Sequence, residues 1–307
     1  MIALHLSLPI AADSPLTYFQ AVVLGVLQGV TELFPISSLG HTVIFPTLFG
    51  WDNLVRAQSQ SESFWLAFVV MLHVGSALGL LAYYWREWVE IVTAFFRTLA
   101  RRRVETATER LAWLIIVASI PVGILGLIFE HQLRTLTAKP EVASVFLMVN
   151  GLVLLGAERF RRRAAVRELA IREGAKADGG RRLATLEYRE AAVIGVAESS
   201  ALVAGISRDG VCMGAGLARG LDHSDAARYA FLLATPIILA AGLFKLPDLT
   251  GPLGNGVRGQ ALVACISAAV AAVFTVAFLV RYFRTRTLVP FAIYCLVFGF
   301  AMVLYNS

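Results

Sequence analysis

The sequence predicts an all-α integral membrane protein, with six transmembrane helices and two re-entrant helical hairpins arranged as an inverted-topology repeat. Three observations carry that expectation. Of 307 residues, 58% are hydrophobic and 16% are charged, against about 25% charged in an ordinary soluble domain. Six uninterrupted apolar runs approach the roughly 20 residues that a spanning helix needs. Two further apolar stretches, 18–49 and 191–220, are broken midway by Pro, Gly and Ser, and their sequences match one another.

Taken in order, Met1 to Ser14 lacks a basic leader and has only a short apolar run, so insertion is expected to use the first hydrophobic segments themselves. The spans follow at 64–85, 111–129, 141–157, 229–244, 259–280 and 288–305. Their direction comes from the placement of basic residues. Of 27 Lys and Arg, six lie in 86–110, ten in 158–190, two in 219–228 and three in 281–287, whereas 1–63, 130–140 and 245–258 together hold only Arg56, Arg134, Lys139, Lys245 and Arg258. By the positive-inside rule the first group faces the cytoplasm and the second faces outward. The formal charge of +6 is therefore topological and implies no nucleic-acid partner.

With those assignments the six spans alternate without conflict. The stretch 18–49 must start and finish outside, and 191–220 must start and finish inside, so each is expected to dip to mid-membrane and return. Exposed backbone at that depth is tolerated only where protein or a wet cavity covers it. The chain thus divides into a first half, 1–157, a basic cytoplasmic connection, 158–190, and a second half, 191–307. The connection is expected to be a cytoplasmic helix with a turn near Gly179 and Gly180, against anionic headgroups, or else a solvated linker. Cys212, Cys265 and Cys295 lie far apart with no CxxC spacing and are expected to pack in apolar surroundings.

Laying 24–40 (LGVLQGVTELFPISSLG) over 194–210 (IGVAESSALVAGISRDG) at a constant offset of 170 pairs Gly25 with Gly195, Gln28 with Glu198, Ile36 with Ile206, Ser37 with Ser207 and Gly40 with Gly210. The two copies enter from opposite faces. In such repeats the ligand site is expected near the midplane, where broken helices meet.

Ionisable groups inside a membrane cost about 2.5–3.5 kcal/mol each on insertion scales, so they mark function. The hairpins concentrate them: Glu32 and His41 in the first, Glu198, Arg208 and Asp209 in the second. Gln28 and Glu32, four apart, share a helix face and can offer two oxygens to one cation or phosphate. Pro35 is expected to end that helix. Ser37 is a natural cap for the returning half-helix, on which Ser38 and His41 fall one turn apart, a hydroxyl and an imidazole suited to phosphate chemistry as nucleophile or donor and as base or acid. In the second hairpin Gly205 permits a turn, Ser207 caps the next half-helix, and Arg208 beside that N-terminus makes an anion site. Glu32, Glu198 and Asp209 against Arg208 leave a formal −2. A bound diphosphate then calls for a divalent cation, Mg²⁺ or Ca²⁺, with Gln28, Glu32 and Glu198 as candidate ligands, or for a carboxyl that takes up a proton. Purely structural readings are capping for Ser37 and Ser38, span bridging for His41, and neutralisation of Asp209 or Glu198 by Arg208. His73 is read equally as cavity lining or as an interhelical hydrogen bond, Asn150 as packing, and His131 and His223 are given no role.

The run from Leu27 to His41 (LQGVTELFPISSLGH) together with Gly205–Gly210 (GISRDG) resembles the bacterial undecaprenyl-diphosphate phosphatase family, in which an E/Q-x-x-x-E element precedes P-x-S-S-x-G-H and a P-G-x-S-R-S-G element follows later. The resemblance covers nearly the whole chain. It implies that Gln28 and Glu32 fill the E/Q-x-x-x-E positions, Ser37, Ser38 and His41 the catalytic turn, and Ser207 and Arg208 the phosphate grip. It also implies hydrolysis of the lipid diphosphate at the outer face of the bacterial inner membrane, which recycles the carrier for cell-wall synthesis. Several positions depart from the pattern. Leu39 stands where Thr is common, Ala204 replaces Pro, Asp209 replaces the second Ser, Cys212 sits where Thr is frequent, and Gln28 and Glu198 exchange a carboxylate across the repeat. Asp209 is thereby expected to modify the site. Two rivals remain open, a polyprenyl-phosphate flippase or transporter and a non-catalytic lipid-binding paralogue. A homo-oligomer is also left open, with membrane lipids as the other partners.

Overall fold

In the computed structural model, α1 (Tyr18–Thr31) opens the described chain, which comprises residues 16–59, 64–137, 139–171 and 183–306. Met1–Ser14 and the turn expected at Gly179 and Gly180 lie outside those residues. Thr17 starts α1 with a reciprocal cap, its hydroxyl accepting the backbone N–H of Gln20 at 3.2 Å while its own N–H donates to the Gln20 side-chain Oε1 at 3.0 Å. A tight turn then leads to α2 (Ser38–Leu48). The second broken stretch folds the same way, as α8 (Tyr188–Glu198), a 3₁₀ turn at Ser199–Leu202 and α9 (Arg208–Ala218), where the intervening helices α3 to α7 are defined below. With 14 residues in α1 and 11 in each of the other three, none exceeds about 21 Å at 1.5 Å per residue. That is short of the ~30 Å hydrocarbon core.

Among the described residues, six helices are long and apolar enough to cross: α4 (Trp65–Tyr83), α6 (Ala107–Thr137), α7 (Pro140–Ile171), α10 (His223–Thr250), α11 (Arg258–Tyr282) and α12 (Val289–Asn306). The all-α, six-span expectation therefore holds. Helix lengths differ from it. α7 continues for fourteen residues past the expected span end at 157, because the basic sequence that follows Gly156 is itself helix-forming and carries no breaker before Ile171. The basic connection thus begins as the extension of a span.

Two helices were not expected, α3 (Asp52–Ser59) and α5 (Trp85–Arg101). In α5 the apolar residues recur at 85, 89, 92, 96 and 99 among Arg and Glu, so no apolar run forms, yet one stripe does. Glu87 in its first turn pairs with Arg228 in the first turn of α10, and Thr98 near its end accepts the Trp113 indole N–H of α6. α5 therefore lies across the ends of two spans and does not prolong α4.

α1 and α4 both pack on α11, α8 packs on α6, α7 packs on α12 and α9, and α10 packs on α4 and α9. Contact is close where small residues face each other. A Cβ on Gly25 would meet the Ala264 carbonyl of α11 at 2.5 Å, and one on Gly195 would overlap the Ala118 carbonyl of α6. The two glycines paired at the offset of 170 thus each seat a short helix on a long one from the other half of the sequence. All three cysteines are buried and free.

Candidate active site

The two interrupted stretches bring their turns into direct contact. Ser37, which caps α2 through its side chain, has a left-handed backbone (φ 68°, ψ 97°) that costs a non-glycine residue about 1–3 kcal/mol. The surrounding bonds hold it there. Its hydroxyl oxygen accepts the N–H of Gly40 at 3.2 Å and, across the repeat, the N–H of Gly205 at 3.1 Å. Gly205 has φ +103°, and a Cβ there would run into the backbone of α7, including Leu147 N at 2.7 Å, so only glycine fits. Ser207 caps α9 by accepting the Gly210 N–H at 3.1 Å.

Asn150 of α7 closes the junction. Its amide N–H donates to the Pro35 carbonyl at 2.9 Å and its amide oxygen accepts the Ser207 N–H at 2.9 Å, so one buried side chain ties both turns together. The expectation of mere packing for this residue is corrected. A polar amide in mid-span was the available signal, because nothing but a specific bond repays its burial.

Glu32, just past the end of α1, collects the donors of the site. Its Oε1 accepts from Arg208 Nη2 at 2.5 Å, and its Oε2 accepts from Gln28 Nε2 at 2.9 Å and from the Ser38 hydroxyl. His73 Nε2 of α4 lies 3.3 Å from the same Oε2, while its Nδ1 is bonded to the Val69 carbonyl at 2.8 Å. Glu32, Ser37, Ser38, His73, Glu198, Ser207 and Arg208 line a cavity of about 270 Å³ whose other walls are apolar, including Val69 and Val70 of α4, Val122 of α6 and Ile237 of α10. An anionic head in a polar corner with an apolar remainder along the walls is the shape this cavity accepts.

The structure thus brings Gln28, Glu32, Ser37, Ser38, Gly205, Ser207 and Arg208 together, as expected, but changes three placements. His41 does not face the Ser38 hydroxyl. Its Nδ1 meets the Ser37 carbonyl at 2.7 Å, its Nε2 meets the Tyr294 hydroxyl at 2.8 Å, and its ring stacks on Tyr294 and Phe298, away from the cavity lining. The Ser37 carbonyl, four residues back, captures the ring first. Gln28 and Glu32 do not present two free oxygens, since the Gln28 amide donates to Glu32 and leaves Gln28 Oε1 without a partner. Asp209 is fully buried and makes no hydrogen bond among the described residues, with Oδ1 3.6 Å from Arg208 Nη2.

Metal-ligand chemistry has a partial fit. Among the described residues no three His, Cys, Asp or Glu side chains converge as a ready cage. Among the described residues, buried oxygens without a hydrogen-bond partner do lie near Arg208, namely both of Glu198 and both of Asp209, and the amide oxygen of Gln28 is likewise buried and without a partner. Such hard, unsatisfied oxygens suit Mg²⁺ or Ca²⁺. Arg208 Nη1 is likewise buried and unpartnered, a donor left over for an incoming anion.

Known proteins are similar in sequence to most of this chain. Residues 21–301 match the model of the family described as bacitracin resistance protein BacA. The chain is 50% identical to undecaprenyl-diphosphatase 2 of Frankia alni, with 92% of this chain and 96% of the relative covered. It is 50% identical to the undecaprenyl-diphosphatase of Mycolicibacterium paratuberculosis (94% and 97% covered) and 41% identical to that of Acidiphilium cryptum (91% and 94% covered). Both the match along the chain and its depth make this protein a member of the bacitracin resistance protein BacA family.

Proposed function

We propose that this chain hydrolyses undecaprenyl diphosphate to undecaprenyl phosphate and inorganic phosphate. The observation that carries this reading is the Ser38 hydroxyl hydrogen-bonded to Glu32 Oε2, beside the unpartnered Nη1 of Arg208. A carboxylate that already holds the hydroxyl hydrogen is placed to take it as the oxygen attacks. The Ser38 oxygen then bonds to the terminal phosphorus, and the bond from that phosphorus to the bridging oxygen breaks, its electron pair leaving with undecaprenyl phosphate. Arg208 Nη1 and the Ser207 hydroxyl grip the phosphoryl oxygens. Water next cleaves the phosphoserine, releasing inorganic phosphate and restoring the hydroxyl. A carrier that only grips a headgroup has no use for a base on Ser38, so the hydrolase is favoured over the transporter. His41 supports the turn through the Ser37 carbonyl.

A divalent cation belongs to this reading. Glu198, which lines the same cavity as Glu32, would hold it together with Gln28 Oε1, and when bound it would neutralise charge on the diphosphate. The placement of basic residues supports a site opening to the outer side of the bacterial inner membrane. The short helices α1, α2, α8 and α9, with Gly25 and Gly195 seated alike, support two re-entrant hairpins related by an inverted repeat.

The test is incubation of purified protein with undecaprenyl or farnesyl diphosphate and Mg²⁺ or Ca²⁺, measuring phosphate released. Release well above that of Glu32→Ala is the expected result. Equal release from both would sink the reading.

A further inference from the structure

We infer that His73 is a positioning residue of the active site, acting through Glu32; the inference rests on the hydrolase reading above. His73 lies in the middle of α4, far in sequence from both turns, and no motif around it signals chemistry. In the structure its side chain reaches from α4 to the reacting group, with Nε2 3.3 Å from Glu32 Oε2. Its ring is fixed at the other nitrogen by the Val69 carbonyl one turn earlier, at 2.8 Å. An imidazole pinned at one nitrogen presents the other along a defined line. The side chain is 24% exposed, against 5% for Glu32, and it lines the cavity. An ordinary interhelical tie would be buried on all sides, whereas this one lines the cavity beside the carboxylate it touches.

Glutamate has three side-chain torsions, and Glu32 has two oxygens with different tasks. Arg208 claims Oε1 from the second broken stretch, pulling the carboxylate toward α9. Gln28 holds Oε2 from behind, on the same helix. Neither fixes the rotation of the carboxylate about its last bond against the pull of Arg208 once a phosphate competes for that guanidinium. His73 does so from a third direction, on a helix packed against both α1 and α11, and keeps Oε2 turned toward Ser38. A shift of about 1 Å at such a group costs on the order of 100-fold in rate.

The experiment compares wild type, His73→Leu and His73→Gln, each alone and with Glu32→Gln, by initial rates of phosphate release from farnesyl diphosphate, with unfolding temperatures measured on the same detergent-purified samples. The glutamine amide nitrogen can occupy the place of the imidazole Nε2. His73→Leu should lower kcat by about 100-fold with KM within about threefold, and His73→Gln should recover most of that loss at an unchanged unfolding temperature. Because His73 acts through Glu32, His73→Leu should add little to Glu32→Gln. A kcat for His73→Leu within about twofold of wild type, a glutamine variant as slow as the leucine one, or losses that multiply in the Glu32→Gln background would each overturn the proposal. Absence of release from wild type would instead overturn the hydrolase reading, and His73 would fall with it.

Discussion

Arg208 Nη2 sits 2.5 Å from Glu32 Oε1, whereas Nη1 of the same guanidinium is buried with no hydrogen-bond partner. One half of the fork holds the base and the other half is free for substrate. Lysine has the charge but not the fork. Arg208→Lys should therefore lower kcat/KM by about 10- to 100-fold, and Arg208→Ala by more, since it also strands a buried carboxylate at a cost of about 3–5 kcal/mol. Steady-state phosphate release and thermal unfolding check both. A lysine variant equal to wild type would contradict the forked grip.

Asn150 offers a prediction about architecture. Asn150→Leu keeps the volume but leaves the Pro35 carbonyl and the Ser207 N–H unpaired in the protein interior. Each orphaned group costs about 1–3 kcal/mol, so the unfolding temperature should drop clearly. Asn150→Asp should fare little better, because a carboxylate accepts from Ser207 but cannot donate to Pro35. An unfolding temperature matching wild type in either variant would show that the two turns need no tie.

The proposed diphosphate site predicts that the carboxylate of Asp209 works against an anionic substrate. Its Oδ1 lies 3.6 Å from Arg208 Nη2 and its oxygens have no hydrogen bond among the described residues. Removing it should strengthen the attraction for a diphosphate. For Asp209→Ser, KM should fall several-fold, the scale of about 1 kcal/mol, with kcat little changed. A higher KM would mean that Asp209 assists binding, for example through the cation.

The proposed cation dependence centres on Glu198, whose two oxygens are buried with no hydrogen-bond partner among the described residues. Chelation should suppress phosphate release, and Mg²⁺ or Ca²⁺ should restore it. Glu198→Gln should raise the cation concentration for half-activity by about tenfold or more, and Gln28→Glu/Glu198→Gln should bring it back. Full activity in chelator would remove the cation from the account, and failure of the double variant would separate the two positions.

The broken helices, the six spans and most of the site residues were legible because each leaves a local mark. Pro, Gly and Ser interrupt an apolar run, ionisable residues inside such a run are costly, and Ser37 and Ser207 stand where capping chemistry requires them. α5 was not legible as a helix, because its apolar stripe is visible only at helical spacing and the search for continuous apolar runs passes over it. The cavity-lining reading of His73 holds, but neither the surroundings of the His41 ring nor the approach of His73 to Glu32 is legible in the sequence, for geometric reasons. Spacing puts His41 one turn from Ser38, but the left-handed Ser37 turns its carbonyl to the ring, and only tertiary packing of α4 carries His73 to Glu32. Asn150 likewise gains its meaning from two turns more than 50 and 100 residues away.

The account stands on Ser38 as the reacting oxygen, and the most direct measurement is the rate of phosphate release by Ser38→Ala under saturating farnesyl diphosphate. The hydroxyl is bonded to Glu32, and little else in the turn depends on it. The expected result is a kcat lowered by at least about 1,000-fold, with KM and unfolding temperature close to wild type. A Ser38→Ala protein that releases phosphate at a rate near wild type would contradict the central claim.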